Sequence, residues 1–129
     1  MTKKEITQFV NLAKGAPIQA YDDAGAARKE TFKRLGKKLA RFIAYSLGLP
    51  TDTYEIRWNP GGIAVCGDVT LHSDSLYIDF SQSCLGPDFG FMYRNCKGRT
   101  DYTGGQNHWM KWEALLDLPT VCTYFRTMI

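Results

Sequence analysis

"TYEIRWNPGGIAVCGDVTLHSDSLYIDF", residues 53–80, is where the apolar period of this chain changes from that of a helix to that of a strand. In "TYEIRW", Tyr54, Ile56 and Trp58 alternate with Glu55 and Arg57, the period-two pattern of a half-buried strand. "NPGG", Asn59 to Gly62, supplies a turn through the fixed φ of proline and the access of glycine to positive φ. "IAVCGDVTL" reads as the second strand, with Ile63, Val65, Val69 and Leu71 on its apolar face and Gly67 marking a bulge or a close approach. After the turn "HSDS", "LYIDF" sends Leu76, Ile78 and Phe80 inward and Tyr77 and Asp79 outward. Gly86 and Pro87 turn the chain again, and "FGFMYRN" offers Phe89, Phe91 and Tyr93 to the same core. The pattern predicts a four-stranded antiparallel meander.

Working outward, the segments on either side are helical. In "KKEITQFVNLA", residues 3–13, Ile6, Phe9, Val10 and Ala13 share one helical face, and Gly15 and Pro17 end the run. Asp22 or Asp23 can cap a second helix of about Ala24 to Leu47, whose stripe is Phe32, Leu35, Leu39, Phe42, Ile43 and Leu47 and whose stop is Gly48 with Pro50. Burying six such side chains is worth on the order of 10 kcal/mol before chain entropy, which makes this helix the main support of the core. "KWEALLDLPTVCTYFRTMI" is helical again, with Leu115, Leu116, Val121, Tyr124, Phe125 and Met128 apolar and Pro119 early in a last helix. Helices grouped before and after an antiparallel sheet mean α+β: two N-terminal helices, the meander, and short C-terminal helices, all packed on one sheet face.

Composition narrows the class. With 129 residues, 44% of them hydrophobic, the chain has the size of a single globular domain spanning 1–129. "MTKKEITQFVNLAKGAP" has no long apolar run or small-residue cleavage site, and no eighteen-residue apolar stretch occurs, so the expected compartment is cytoplasmic, with no membrane association. Cys66, Cys84, Cys96 and Cys122 lie 18, 12 and 26 positions apart without a CxxC pair, so free thiols are expected and no metal site; a zinc site with His72 and His108 lacks close ligand pairs. No cofactor is implied. The chain has no GxSxG, HExxH, GxxxxGK or GxGxxG motif.

Two surfaces are left as candidates, the back of the long helix and the outer sheet face with the 94–109 loop beside it. Between residues 28 and 41 the long helix carries Arg28, Lys29, Lys33, Arg34, Lys37, Lys38 and Arg41 against Glu30, a local charge of +6 in a molecule of +3. Lys33, Arg34, Lys37 and Arg41 form a basic ridge opposite the apolar stripe, which reads either as a solvated face or as a site for nucleic acid or an acidic protein; no aromatic residues interleave with these charges. Strand alternation turns Cys66, Asp68, Thr70, His72, Tyr77, Asp79 and Arg94 away from the core, and a His–Asp pair beside a hydroxyl is the raw material of a small hydrolase. Residues 94–109, "RNCKGRTDYTGGQNHW", have no period at all. A loop of that length in a compact domain is usually functional, and its aromatics argue for order: Tyr102 and Trp109 would anchor it by burying their rings, Arg94 and Arg99 would pair with Asp101, and Gly104–Gly105 would turn it.

The "GGIAV" turn and strand, the "LHSDSLY" hairpin and the R-x-C-x-G-R-x-D-Y-x-G-G-x-N loop, here Arg94, Cys96, Gly98, Arg99, Asp101, Tyr102, Gly104, Gly105 and Asn107, resemble an uncharacterised family of small accessory proteins carried by bacteriophages and prophages. The resemblance covers about residues 30 to 113. It implies phage cargo that acts in the cytoplasm of a bacterial host by binding and blocking a host protein, including defence nuclease complexes such as CRISPR effectors. The expected partner surface is Arg94, Lys97, Arg99, Asp101, Tyr102, His108 and Trp109, acting by contact with no catalytic residue. Nucleic-acid binding by the basic ridge is the alternative, and a hydrolase around His72 and Asp79 comes third.

Overall fold

The computed structural model describes residues 1–82 and 90–129; the expected turn at Gly86 and Pro87, the core residue Phe89 and the fourth cysteine, Cys84, lie outside the described residues. Helix α1, Lys3–Lys14, opens on a capping box in which Thr2 Oγ1 accepts from the Glu5 N–H (3.1 Å) and Glu5 Oε1 accepts from the Thr2 N–H (3.0 Å). Helix α2, Asp23–Ser46, is capped by Asp22, whose carboxylate accepts from the Gly25 N–H at 2.7 Å. Both helices form because their caps satisfy the first free amides while Phe9, Val10 and Ala13 of α1, and Phe32, Leu35, Leu39, Ile43 and Ala44 of α2, line up on buried faces.

Among the described residues five strands follow: β1 Tyr54–Asn59, β2 Asp68–Ser73, β3 Leu76–Phe80, β4 Phe91–Asn95 and β5 His108–Met110. They are antiparallel in the order β1-β2-β3-β4-β5. The meander is therefore one strand larger than its apolar alternation predicts. Strand β5 is only three residues long, and its pairing rests on backbone geometry instead of an apolar run. Gly105, at φ +80°, lies so close to the Asn95 carbonyl that an added Cβ would sit 2.3 Å from it, and this turn returns the chain alongside β4.

The second strand is also shorter than expected, starting at Asp68 and not at Ile63. Gly67, at φ +82°, breaks the extension, and the Trp58 ring packs where its side chain would stand, 2.5 Å from an ideal Cβ. Upstream of it Ile63 and Val65 are exposed and belong to a loop, tied down by the Ala20 N–H donating to the Ile63 carbonyl at 2.7 Å.

After β5 a 3-10 helix, Trp112–Asp117, leads into α3, Leu118–Arg126, with Asp117 as its cap and Pro119 in its first turn. Three residues per turn put Trp112 and Leu115 on one buried line and turn Leu116 out to solvent, whereas an α-helical reading keeps both leucines on the apolar face. The helices cover one face of the sheet. Phe9, Phe32, Phe80, Phe91 and Trp112 form one aromatic cluster between α1, α2 and the strands, with centroids 5.0 to 6.5 Å apart. Helix α3 docks through Phe125 against Tyr93 of β4, at 5.4 Å, and the Tyr93 and Tyr124 hydroxyls share a hydrogen bond of 3.0 Å. Among the described residues no helix is long and apolar enough to cross a membrane.

Leu39 is fully buried at the centre of this packing, whereas Lys37 is half-exposed on the flank of the same helix. In urea unfolding Leu39→Ala is expected to lose about 2 to 5 kcal/mol and Lys37→Ala less than about 0.5 kcal/mol; equal losses would put the buried stripe on the wrong face.

Candidate functional site

The sheet face turned away from the helices is polar and built in rows. Cross-strand register aligns Arg57, Thr70, Asp79, Met92 and Trp109 in one row, and Glu55, His72, Tyr77 and Arg94 in the next. These side chains stand outside the main core, as strand alternation requires, yet most of them are not open to solvent: His72 is fully buried and Arg94 is only 8% exposed. What covers them is the segment between β4 and β5, residues 96–107.

That segment is fastened by polar contacts. Asp101 organises its interior, accepting from the backbone N–H groups of Lys97 (2.9 Å), Thr103 (3.0 Å) and Gly104 (2.8 Å). Three such donors hold the Asp101 carboxyl down to about 2. Gly104 is needed there for steric reasons, since an added Cβ would lie 2.2 Å from an Asp101 oxygen. Arg99 does not pair with Asp101, as the sequence suggests. It reaches outward to the β2–β3 turn, with Nε 3.2 Å from Asp74, and donates to the Asp52 carbonyl at 2.6 Å. Because backbone amides already satisfy Asp101, the guanidinium is free to tie the loop to two other segments. Near the start of the loop the Cys96 N–H donates to the Ser75 carbonyl at 3.0 Å.

Beneath the loop, Arg57 is the central side chain. It forms an ion pair with Glu55, donates to His72 Nδ1 at 3.2 Å and to the Arg99 carbonyl at 3.3 Å, and lies 5.8 Å from the centre of the Tyr102 ring. A guanidinium only donates, so His72 Nδ1 accepts and the ring proton sits on Nε2. Tyr77 and Tyr102 meet the imidazole edge-on, at 4.8 and 5.1 Å. Burial first, and then the charges of Arg57 and Arg94, push the His72 pKa down, while the loop backbone at Gly98 and Asp101 pulls the other way. The His–Asp pair that a hydrolase would use is not assembled: among the described residues the hydrogen bond to His72 comes from an arginine, not a carboxylate.

Asp79 stands in the adjoining row. Burial, then the charge of Asp68 and hydrogen bonding with it, push its pKa up to about 8, with Arg94 opposing, so near neutral pH it is largely the uncharged acid. Arg94 lies 4.8 Å over the Tyr77 ring, and its Nε and Asp79 Oδ1 have no hydrogen-bond partner among the described residues. Burial is also the main cause that pushes the Tyr77 hydroxyl up to about 12.

The structure sorts the expected site residues into three groups. Arg94 belongs to β4, inside the polar layer, so it supports the surface and does not form part of it. Arg99 and Asp101 hold the loop. Lys97, Tyr102, His108 and Trp109 are exposed, Tyr102 at 53% and Trp109 at 43%, but they do not share one face: on β5 Trp109 stands on the outer side, whereas its neighbour His108 stands on the helix side, stacked on Tyr93 at 5.5 Å, and so leaves the expected partner surface. The two aromatics do not bury themselves as anchors. Tyr102 is held by the edge of His72 and by Arg57, and Trp109 stands beside Met92 on the sheet. Arg57 and Tyr77, which complete this layer, carry no sequence signal beyond outward alternation in a strand.

On the other side of the molecule the basic ridge is thinner than its sequence. Lys33 lies on the flank of α2, 5.9 Å from the Trp58 ring and 4.0 Å from Glu30; Lys38 pairs with Glu5, and Lys29 donates to the Gly62 carbonyl at 2.9 Å. Of the cysteines, Cys66, Cys96 and Cys122 are free, each with its pKa raised chiefly by burial. No group of three or more potential metal ligands occurs among the described residues. No protein-family model, curated protein or solved structure matches the chain.

The Asp79 shift has a signed consequence for stability. Between about pH 4, the ordinary range of the unfolded carboxyl, and about 8, the folded state holds a proton that the unfolded chain has lost, so stability falls as pH rises through this window. The lowered pKa of His72 gives a slope of opposite sign up to its unfolded value near 6.5, so the two are separated by difference. Asp79→Asn minus wild type, measured by urea unfolding at a series of pH values, is expected to grow from pH 4 to pH 8 in favour of Asn; a flat difference would mean that Asp79 ionises normally.

Proposed function

We propose that this chain is a small phage-type accessory protein that acts by protein–protein binding through the loop-roofed sheet face, as an inhibitor of a host defence system. The observation that carries the reading is the half-exposed pair Tyr102 and Trp109, on a loop and short strand fixed by Arg57, Arg99 and Asp101, with Lys97 exposed in the same loop. Tyrosine and tryptophan supply much of the energy in protein interfaces, and rings already held in place lose little rotamer freedom on binding. The supporting layer is expensive to build. It spends a buried arginine, a buried histidine and a protonated aspartate on holding a surface that does no chemistry of its own. The likeness of the loop and hairpin motifs to phage cargo supports a host protein as the partner class, with a defence nuclease complex as the most concrete form. The complementary partner surface is an apolar depression that takes the two rings, with acceptors at its rim for Lys97.

The test begins with affinity purification from the bacterial host and mass spectrometry of what is retained, and is decided by titrating the captured partner against variants. Trp109→Ala and Tyr102→Ala are each expected to weaken binding by more than about 1 kcal/mol, Trp109→Ala with an unchanged melting temperature. Arg99→Ala is expected to act through loop order, lowering melting temperature and affinity together. Unchanged affinity in the Trp109 and Tyr102 variants would overturn the assignment of this face.

A further inference from the structure

The outer seam of α2 is a second surface, and the structure singles out which of its charges are free. Arg28, Lys29, Lys33 and Lys38 are all occupied with the protein's own groups: the Pro17 carbonyl, the Gly62 carbonyl, Trp58 with Glu30, and Glu5. Among the described residues Arg34, Lys37 and Arg41 have no such partner. At about 100° per residue Arg34 and Arg41 fall almost directly opposite the buried line of Phe32, Leu39 and Ile43, and Lys37 flanks them. One turn beyond Arg41, on the same seam, stands Tyr45, 85% exposed. Sequence inspection finds no aromatic among these charges because Tyr45 lies past the end of the basic run, four residues after Arg41.

We infer that this seam binds single-stranded nucleic acid, with Arg34, Lys37 and Arg41 on successive phosphates and a base stacked on Tyr45. An extensively exposed tyrosine in line with unpaired cations is the combination that single-strand sites use: charge tracks the backbone, and the ring gives a sequence-tolerant platform. Along the axis the three cations are separated by about 4.5 and 6 Å, within reach of successive phosphates of one strand. The one acidic side chain on this part of the seam, Glu30, lies a turn before Arg34 and 4.0 Å from Lys33, so it limits the site at that end. An acidic protein would satisfy the cations as well; what favours a single strand is a ring in line with them, on which a base of any sequence can stack. This site is independent of the loop-covered sheet face, since α2 lies on the other side of the sheet.

Fluorescence anisotropy with labelled oligo-dT and oligo-U of about a dozen nucleotides tests the inference, using the full chain. Binding at low salt is expected, with log K falling against log salt at a slope of about −2, from about 0.7 per phosphate over three phosphates. The triple variant Arg34→Glu, Lys37→Glu, Arg41→Glu is expected to abolish it. Tyr45→Ala should weaken it about tenfold, and Tyr45→Phe should bind as wild type. Arg34, Arg41 and Tyr45 are exposed and Lys37 is partly buried, and melting temperatures verify that the variants fold. Absence of binding at low salt, or a triple variant that binds as wild type, overturns the site. Tighter binding of a duplex of the same length overturns its single-strand character. Binding of polyglutamate at equal strength, with no effect of Tyr45→Ala, assigns the seam to acidic proteins instead.

Discussion

Gly36 of α2 lies against Val69 of β2, and an added Cβ would come within 2.9 Å of a valine methyl. This absence of a side chain lets a 24-residue helix lie directly on the second strand of the sheet, and the remaining packing is arranged around that approach. Phe32 and Leu39, one turn to either side, fill the space on its flanks, and Phe9 reaches the same point from α1, its ring 3.5 Å from the glycine's Cβ direction. Glycine in a helix interior costs about 1 kcal/mol relative to alanine, so its position here is explained by the contact and not by helix propensity. The contact also divides the sheet into its two roles: one face is committed mainly to hydrocarbon, with Ser73 and Asn95 polar only at its strand ends, and the other polar side chains of β1 to β4 must be accommodated on the opposite face.

The accommodation on that second face is electrostatic. Its cations and acids do not form a simple row of ion pairs: one arginine serves a histidine, a carbonyl and a tyrosine ring, another stacks on a tyrosine, and one aspartate avoids the cost of a buried charge by keeping its proton. Layers of this kind contribute less to stability than an apolar core of equal size, but they restrict each side chain to one arrangement.

Wherever one physical signal dominates, the sequence and the structure agree. The two N-terminal helices, three strand cores and the α+β class follow from apolar period and from caps at Thr2, Asp22 and Asp117, which local chemistry determines. The disagreements arise where distant groups compete. Ile63 and Val65 have the alternation of a strand, but the Trp58 ring across Gly67 ends pairing before they can join. Strand β5 has no alternation to detect and depends on a glycine approaching the Asn95 carbonyl. Arg99 and Asp101 are neighbours of opposite charge, yet backbone amides take the carboxylate and leave the arginine for Asp74 and Asp52. Loop order was thus legible in the residue types, while the identity of each partner was not. The same holds for Lys33: helical angle alone brings it near the ridge, and only the place of Trp58 draws it to the side.

The meander pairs each strand with its neighbour in sequence, but its last member is joined differently from the rest. Strands β1 to β4 are locked by the side chains they bury under the helices, whereas β5 and the segment before it are held largely by hydrogen bonds and ion pairs. Hydrocarbon packing fails only with the whole structure; a polar fastening can detach alone. The region from Cys96 to Trp109 is therefore expected to open as a local unit at a free energy below that of global unfolding. Its backbone amides should then exchange with solvent deuterium ahead of those in β2 and β3, and together, since Asp101 alone holds three of them.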